Sequence, residues 1–295
     1  MPIWTLCFIM RTLVLLYLLL IFTASSVFCQ GLSKSLGYAF KKSDSDSLFT
    51  LLIQWNEGVG NNESEVSNDK YSKAVYSIFN EFYTPYDLER IGSSEWGDSI
   101  YIDKFAIIQN SVKYVIAEFP NPDTIVIRLK QDTLTLTEFE QKFGKDDRRY
   151  LFYEDLKYPN TKDLEKVEIK DFRPQTTLPS NKILYLTTDY QTELIQFLGN
   201  QHSPLGSGGI MNPARATKKT WMRQKFLNIY LNVIYGHWGG YWHLETHPEV
   251  SLIVMNPELT KARLYFRLVY QGGEAFFEKK DGKWTLIESK LTWIE

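Results

Sequence analysis

GHWGGYWHLETHPEV (residues 236–250) and GGEAFFEKKDGKWTLIESKLTWIE (272–295) decide the fold of this 295-residue chain. Both alternate polar and apolar residues, the period of a half-buried strand. Asp281-Gly282 sits between two such runs, and that dipeptide suits the positive φ angles of a tight hairpin turn. The pattern predicts strands at Tyr241–His247, Ser251–Met255, Ala262–Gln271, Glu274–Lys279 and Trp284–Trp293. Period two puts Trp242, Leu244 and Thr246 with Leu264, Phe266 and Leu268 on one face. His243 and Glu245 fall with Arg263, Tyr265 and Arg267 on the other. A sheet with one apolar face packs that face on helices. Its polar face either meets water through Arg–Glu pairs or lines a polar cavity or partner interface.

Helices are predicted before this sheet. Val75, Ile78, Phe79 and Phe82 form one buried stripe, and PYDLERIG (85–92) reads as a short second helix ending at Gly92. Tyr190, Leu194, Phe197 and Leu198 mark another helix. Residues 217–235 read as the longest, striped by Met222, Phe226, Ile229, Tyr230 and Val233. Strand-like runs at 99–109 and 112–119 suggest a hairpin turning at Gln109-Asn110-Ser111, and 124–129 with 134–136 continue the β pattern. Leu48–Trp55 is a strand or a helix turn. Residues 30–69 read as a polar tether and a loop, the latter carrying the sequon Asn62-Glu63-Ser64. Pro174 and Pro179 lie in polar sequence and place a boundary near 171–182. The expectation is an α+β protein of two sub-domains, 70–175 and 176–295. The second is a curved antiparallel sheet packed on helices.

The order strand, helix, loop, long helix and meander, closing on DGKW (281–284), resembles the ketosteroid-isomerase-like, nuclear-transport-factor-like cone fold. The resemblance covers about the last 115 residues. It implies a curved sheet wrapped around helices, in a superfamily that holds isomerases, dehydratases and non-catalytic binding or dimerisation modules. It carries over no pocket acid to a position in this chain.

Residues 1–29 read as a signal peptide. Arg11 precedes an apolar run from Leu13 to Phe28, shorter than the ~20 residues of a spanning helix. Cleavage after Cys29 removes both cysteines, Cys7 and Cys29, so the mature chain has no disulfide, thiolate ligand or Cys nucleophile. The alternative is an uncleaved anchor formed by residues 3–28. Of 33 basic residues, 32 remain after Arg11 is lost, against 35 acidic ones. That balance carries no basic footprint for nucleic acid. Aromatics make up 15% of the chain, in keeping with a β-rich fold.

Four features carry candidate chemistry. His243, Glu245 and His247 share a strand face, which offers acid–base groups together with Arg267. His243 and His247 are also the residues to consider for a metal. Three alternate residues span ~13 Å, too far to close on one ion, so no metal or other cofactor is expected. His237, Trp238, Tyr241 and Trp242, with Tyr265, are the candidates for stacking on a ligand. The basic run from Arg215 to Lys225 offers a contact to an anionic membrane or polymer, or is a solvated helix face. Gly206-x-Gly208-Gly209 has no Gly-Lys-Ser/Thr after it and is no phosphate loop. These features favour an exported, non-catalytic envelope or extracellular module that binds an unidentified ligand or envelope partner. The alternative is an enzyme, a metal-assisted hydrolase or acid–base catalyst, working from the His243/Glu245/His247 face.

Overall fold

A computed structural model describes residues 31–58, 69–93, 103–130, 132–145, 147–149, 153–178, 182–199, 218–235 and 242–294. The leader (1–29), the sequon at Asn62, the glycines of 206–209, Arg215, His237, Trp238 and Tyr241 lie outside those residues.

Where a polar tether was expected, the chain forms two helices, α1 (Leu32–Lys42) and α2 (Ser45–Gly58). Composition hides them because only one side is apolar. Leu32, Leu36 and Ala39 recur at helical spacing and are buried, as are Leu48, Leu52 and Trp55. Asp44 accepts from the Ser47 backbone N–H at 2.9 Å, so the polar run Ser43–Ser47 caps a helix. The buried carboxylate of Glu193 accepts from the Ser33 N–H at 2.7 Å, at the positive end of α1.

Helix α3 (Lys70–Phe82) starts on an Asp69 cap and buries Val75, Ile78, Phe79 and Phe82, the predicted stripe. A 3₁₀ turn at Glu89–Ile91 ends on Gly92 in the left-handed region. Strands β1 (Ala106–Ile108) and β2 (Ser111–Ile116) follow, but not as a hairpin. The Gln109 side chain donates to Ser111 O and Val250 O and accepts from Val250 N, which carries β2 away into another sheet. Next come β3 (Val126–Arg128), β4 (Thr133–Thr135) and α4 (Leu136–Phe143), which opens on a Thr135/Glu138 capping box. Then follow β5 (Val167–Lys170), β6 (Ile183–Tyr185), α5 (Thr188–Leu198) and α6 (Lys218–Leu227).

Helix α6 is shorter than its predicted 217–235. Asn228 ends it by accepting from Val233 N and donating to Val233 O, which folds 228–233 into a turn. Met222 and Ile229 are therefore exposed while Phe226 and Val233 are buried, and the expected stripe is broken. The remaining strands are β7 (Ile234–Tyr235), β8 (Trp242–His243), β9 (Glu249–Met255), β10 (Lys261–Leu268), β11 (Gln271–Lys280) and β12 (Lys283–Ile294). Asp281 and Gly282 both take positive φ, as the hairpin signal required.

The protein is thus α+β with a C-terminal antiparallel meander. Its main sheet has six strands in the order β12-β11-β10-β9-β2-β5. The meander is antiparallel through β9; β2 then joins β9 in parallel, and β5 closes the sheet antiparallel. Strands from both expected sub-domains therefore share one ladder. Among the described residues there are two large cores, and neither follows the chain. One lies between α3 and the inner face of the sheet, with Leu264, Phe266 and Leu268 in it. The other is helical, gathering α1, α2, α5 and α6. The parallel pair β1–β6 divides them: Ile107 and Leu184 face the helices, while Ile108, Ile183 and Tyr185 face the sheet core. Each core takes residues from both sides of position 175. A small third cluster of Ile127, Leu136 and Phe139 is built within 70–175.

Candidate functional site

The outward face of the main sheet carries the alternate residues Arg263, Tyr265 and Arg267 of β10. In register beside them stand Phe276, Glu274 and Gly272 of β11. Glu274 in turn pairs with Lys290 of β12, and Gly272 with Trp293. A cleft of about 960 Å³ opens over this face. Across it runs the segment from Asp155 to Lys166, held down at one point. Arg263 donates from Nε to Glu274 Oε2 at 2.7 Å and from a terminal nitrogen to Asp155 Oδ1 at 2.8 Å. Its guanidinium stands 4.1 Å from the Tyr158 ring centroid, and Tyr158 stacks on Phe276 at 4.9 Å. Lys290 Nζ reaches the other Glu274 oxygen at 3.3 Å. Arg263 and Glu274 are both buried. A buried pair with its remaining oxygens satisfied is fixed geometry rather than a loose surface contact.

Among the described residues, five cations line the cleft: Lys113, Lys166, Arg263, Arg267 and Lys290. Two carboxylates, Asp155 and Glu274, oppose them. The chain as a whole has a net charge of −2. The cleft is therefore positive on an acidic molecule. Ser251, Thr161 and Thr292 add hydroxyls, and Trp293 and Tyr265 add aromatic surface.

Beside the cleft, the expected strand 241–247 is only two residues long. It pairs with β7, not with the meander. Residues 244–247 instead run past β1: Ile107 N donates to Thr246 Oγ1 and Thr246 N to Ile107 O, each at 2.8 Å. His243, Glu245 and His247 therefore do not form a row on the polar face of the main sheet. Trp242 and Leu244 pack in the helical core, and Leu264, Phe266 and Leu268 in the other. The two histidine rings remain neighbours, 5.9 Å between centroids. His247 is only 2% exposed.

Burial governs the protonation of this group. It lowers His243 to about 4 and His247 to about 3, with the Arg267 charge adding to both and His243 adding to His247. It raises Glu245 to about 7, helped by the carboxylate of Glu249. Glu249 is also raised by burial, against the pull of Arg267. Arg267 faces Glu249 across the β9–β10 ladder and donates to Val269 O at 2.6 Å. It is the residue common to the cleft and the buried group. Among the described residues, no three His, Cys, Asp or Glu side chains come together in a way that could hold a metal ion.

Of the ligand candidates, Tyr265 lines the cleft. Trp242 is a core residue, packed edge-on to Tyr235 at 4.8 Å. In the basic run, Arg223 does not face solvent alone: it donates to Phe197 O at the end of α5. Among the described residues no helix is long and apolar enough to cross a membrane. Glu274, Lys290 and Trp293 were open to the same period-two argument that marked Arg263 and Arg267. Lys113, Asp155 and Lys166 were not, because they arrive through the parallel β2–β9 pairing and the crossing segment. No family model, curated protein or solved structure matches the chain.

Proposed function

We propose that the chain is an exported, non-catalytic binding module whose cleft over the main sheet takes an anionic ligand. The observation that carries this is the excess of cations in a cleft of about 960 Å³ on a chain of net negative charge. Such local concentrations of one sign steer and hold ligands of the other. The volume lies toward the upper end of small-ligand sites, which run to ~1,000 Å³. The apolar run of residues 13–28 supports export.

The catalytic alternative has one observation in its favour, the shifted histidines and glutamates around Arg267. A general acid or base needs hydrogen-bond reach to its substrate. Arg267 lines the cleft, but His243, Glu245, His247 and Glu249 do not, which favours the binding module. The test is calorimetric titration of the protein with citrate, inorganic phosphate and an oligogalacturonate, repeated with Lys113→Ala/Lys166→Ala. At least one anion should bind and weaken about tenfold in the double variant, since two partly screened charge contacts are worth ~1.4 kcal/mol together. Binding of none of them, or undiminished binding in the variant, overturns the proposal.

A further inference from the structure

We infer that the ligand of this cleft is an acidic carbohydrate, a short oligosaccharide whose rings carry carboxylate or sulfate. The inference rests on the binding function proposed above and narrows the ligand's class. It starts from Trp293. This indole is 45% exposed at the cleft rim, although tryptophan is a residue that proteins mostly bury. It is not a dangling side chain. A Cβ placed on Gly272 would stand 1.9 Å from Cε2, 2.1 Å from Nε1 and 2.2 Å from Cζ2 of the indole. The ring occupies the space over that glycine, and only the missing side chain at 272 admits it. An aromatic surface is thus ordered before any ligand arrives, and ordering it on binding costs no further entropy.

What stands around the indole defines the class. The Arg267 guanidinium lies 5.8 Å from the ring centroid, so an anionic substituent held there leaves its own ring over the indole. Sugar rings present flat C–H faces that pack on indole, and their edges carry hydroxyls that both donate and accept. The cleft answers with both kinds of partner. Lys290 donates. Asp155 accepts, with 76% of its side chain open to solvent while Arg263 fixes its orientation. Lys113 and Lys166 provide for further negative charge.

Two other classes fit less well. Single-stranded nucleic acid also favours aromatics beside cations. Its successive bases stack on a run of aromatics, however, and among the described residues Trp293 is the one exposed aromatic of the cleft. A lipid anion needs an apolar trough, and among the described residues the cleft's apolar lining is Leu252, Phe266 and Leu291 beside Tyr265 and Trp293.

Two variants isolate the indole. Trp293→Ala removes it. Gly272→Ala keeps every polar group and displaces the ring. Titrations use trigalacturonate, a sulfated disaccharide, neutral maltotriose, citrate and an oligothymidylate. One of the acidic sugars should bind at least tenfold tighter than maltotriose, citrate or the oligonucleotide. Each variant should weaken that binding about tenfold while its melting temperature stays within a few degrees of the parent. If citrate or the oligonucleotide binds as tightly as the acidic sugars, the carbohydrate assignment falls and the anion cleft stands. If an acidic sugar binds but both variants bind it unchanged, the assignment also falls. If no anion binds, both fall together.

Discussion

Gly273→Ala is the sharpest probe of how this sheet is packed. Gly272 and Gly273 are neighbours on β11 and point to opposite faces. A methyl on Gly273 would enter the core 2.3 Å from Phe266 Cζ and 2.7 Å from the carbonyl oxygen of Lys290. Real Cβ contacts rarely fall below about 3.4 Å, so one neighbour must move by about an ångström. Phe266 has nowhere to go: it is 3% exposed and packed on Phe82 at 5.0 Å. The Lys290 oxygen belongs to the adjacent strand and cannot rotate away. Overpacking of this kind costs ~1–3 kcal/mol, and two simultaneous clashes place it at or above the top of that range. Replacing a strand glycine returns only ~0.5–1 kcal/mol. The net loss should be about 2 kcal/mol, or ~4–8 °C in melting temperature for a chain of this size. Gly272→Ala meets only the Trp293 side chain, which can swing into solvent, and should lose less than ~1 kcal/mol. Urea unfolding followed by circular dichroism measures both. In a Phe266→Leu background the Gly273→Ala penalty should shrink, since the nearest clash is gone. Equal stabilities for the two glycine variants, or a larger loss at 272, would refute the assignment of faces on β11.

Phe266→Ala should lose ~3–5 kcal/mol, the range for truncating a packed aromatic, and Arg267→Ala much less, because its side chain opens into the cleft; comparable losses in urea titrations would mean a one-residue error in the β10 register. The buried titrating group predicts opposed pH effects. His243 and His247, depressed to about 4 and about 3, contribute stability that is lost as pH falls below the unfolded value of 6.5. Glu245, raised to about 7, contributes stability present below 4.5 and lost as pH rises toward 7. Glu245→Gln should therefore change the slope of unfolding free energy between pH 4.5 and 7 by up to ~1.4 kcal/mol per pH unit. A slope identical to the parent's would show that Glu245 ionises normally in the fold.

What could be read from the sequence follows the range of the interaction involved. The meander from β9 to β12 and the Asp281-Gly282 turn were legible because each depends on period two and on neighbours along the chain. Helix α3 was legible for the same reason. The tether that proved to be α1 and α2 was not. Its stripe of Leu32, Leu36 and Ala39 is narrow, and the partners that make it worth burying lie on α5 and α6, far along the chain, as Glu193 lies 160 residues from Ser33. The hairpin expected at Gln109 failed because local pattern cannot choose a strand's partner: β1 went to β6 and β2 to β9.

The site divides along the same line. Alternation on β10 placed Arg263, Tyr265 and Arg267 on one face, which is half of the cleft. The other half depends on a parallel pairing and on a crossing segment that no local signal announces. The alternation at 241–247 does not put His243, Glu245 and His247 on that face. Those residues alternate in sequence, but Thr246 bonds to Ile107 and draws them beside β1. Arg267 joins the cleft to the buried group. Its guanidinium lies near Trp293 in the cleft, and its charge adds to the burial that keeps His243 and His247 neutral. An anion bound at Arg267 would offset that charge and ease protonation of His243 and His247. By linkage, acidification toward pH 4 should then tighten the cleft's hold on a sulfated ligand, whose own charge does not titrate there, and calorimetric titration should find that effect gone in Arg267→Ala.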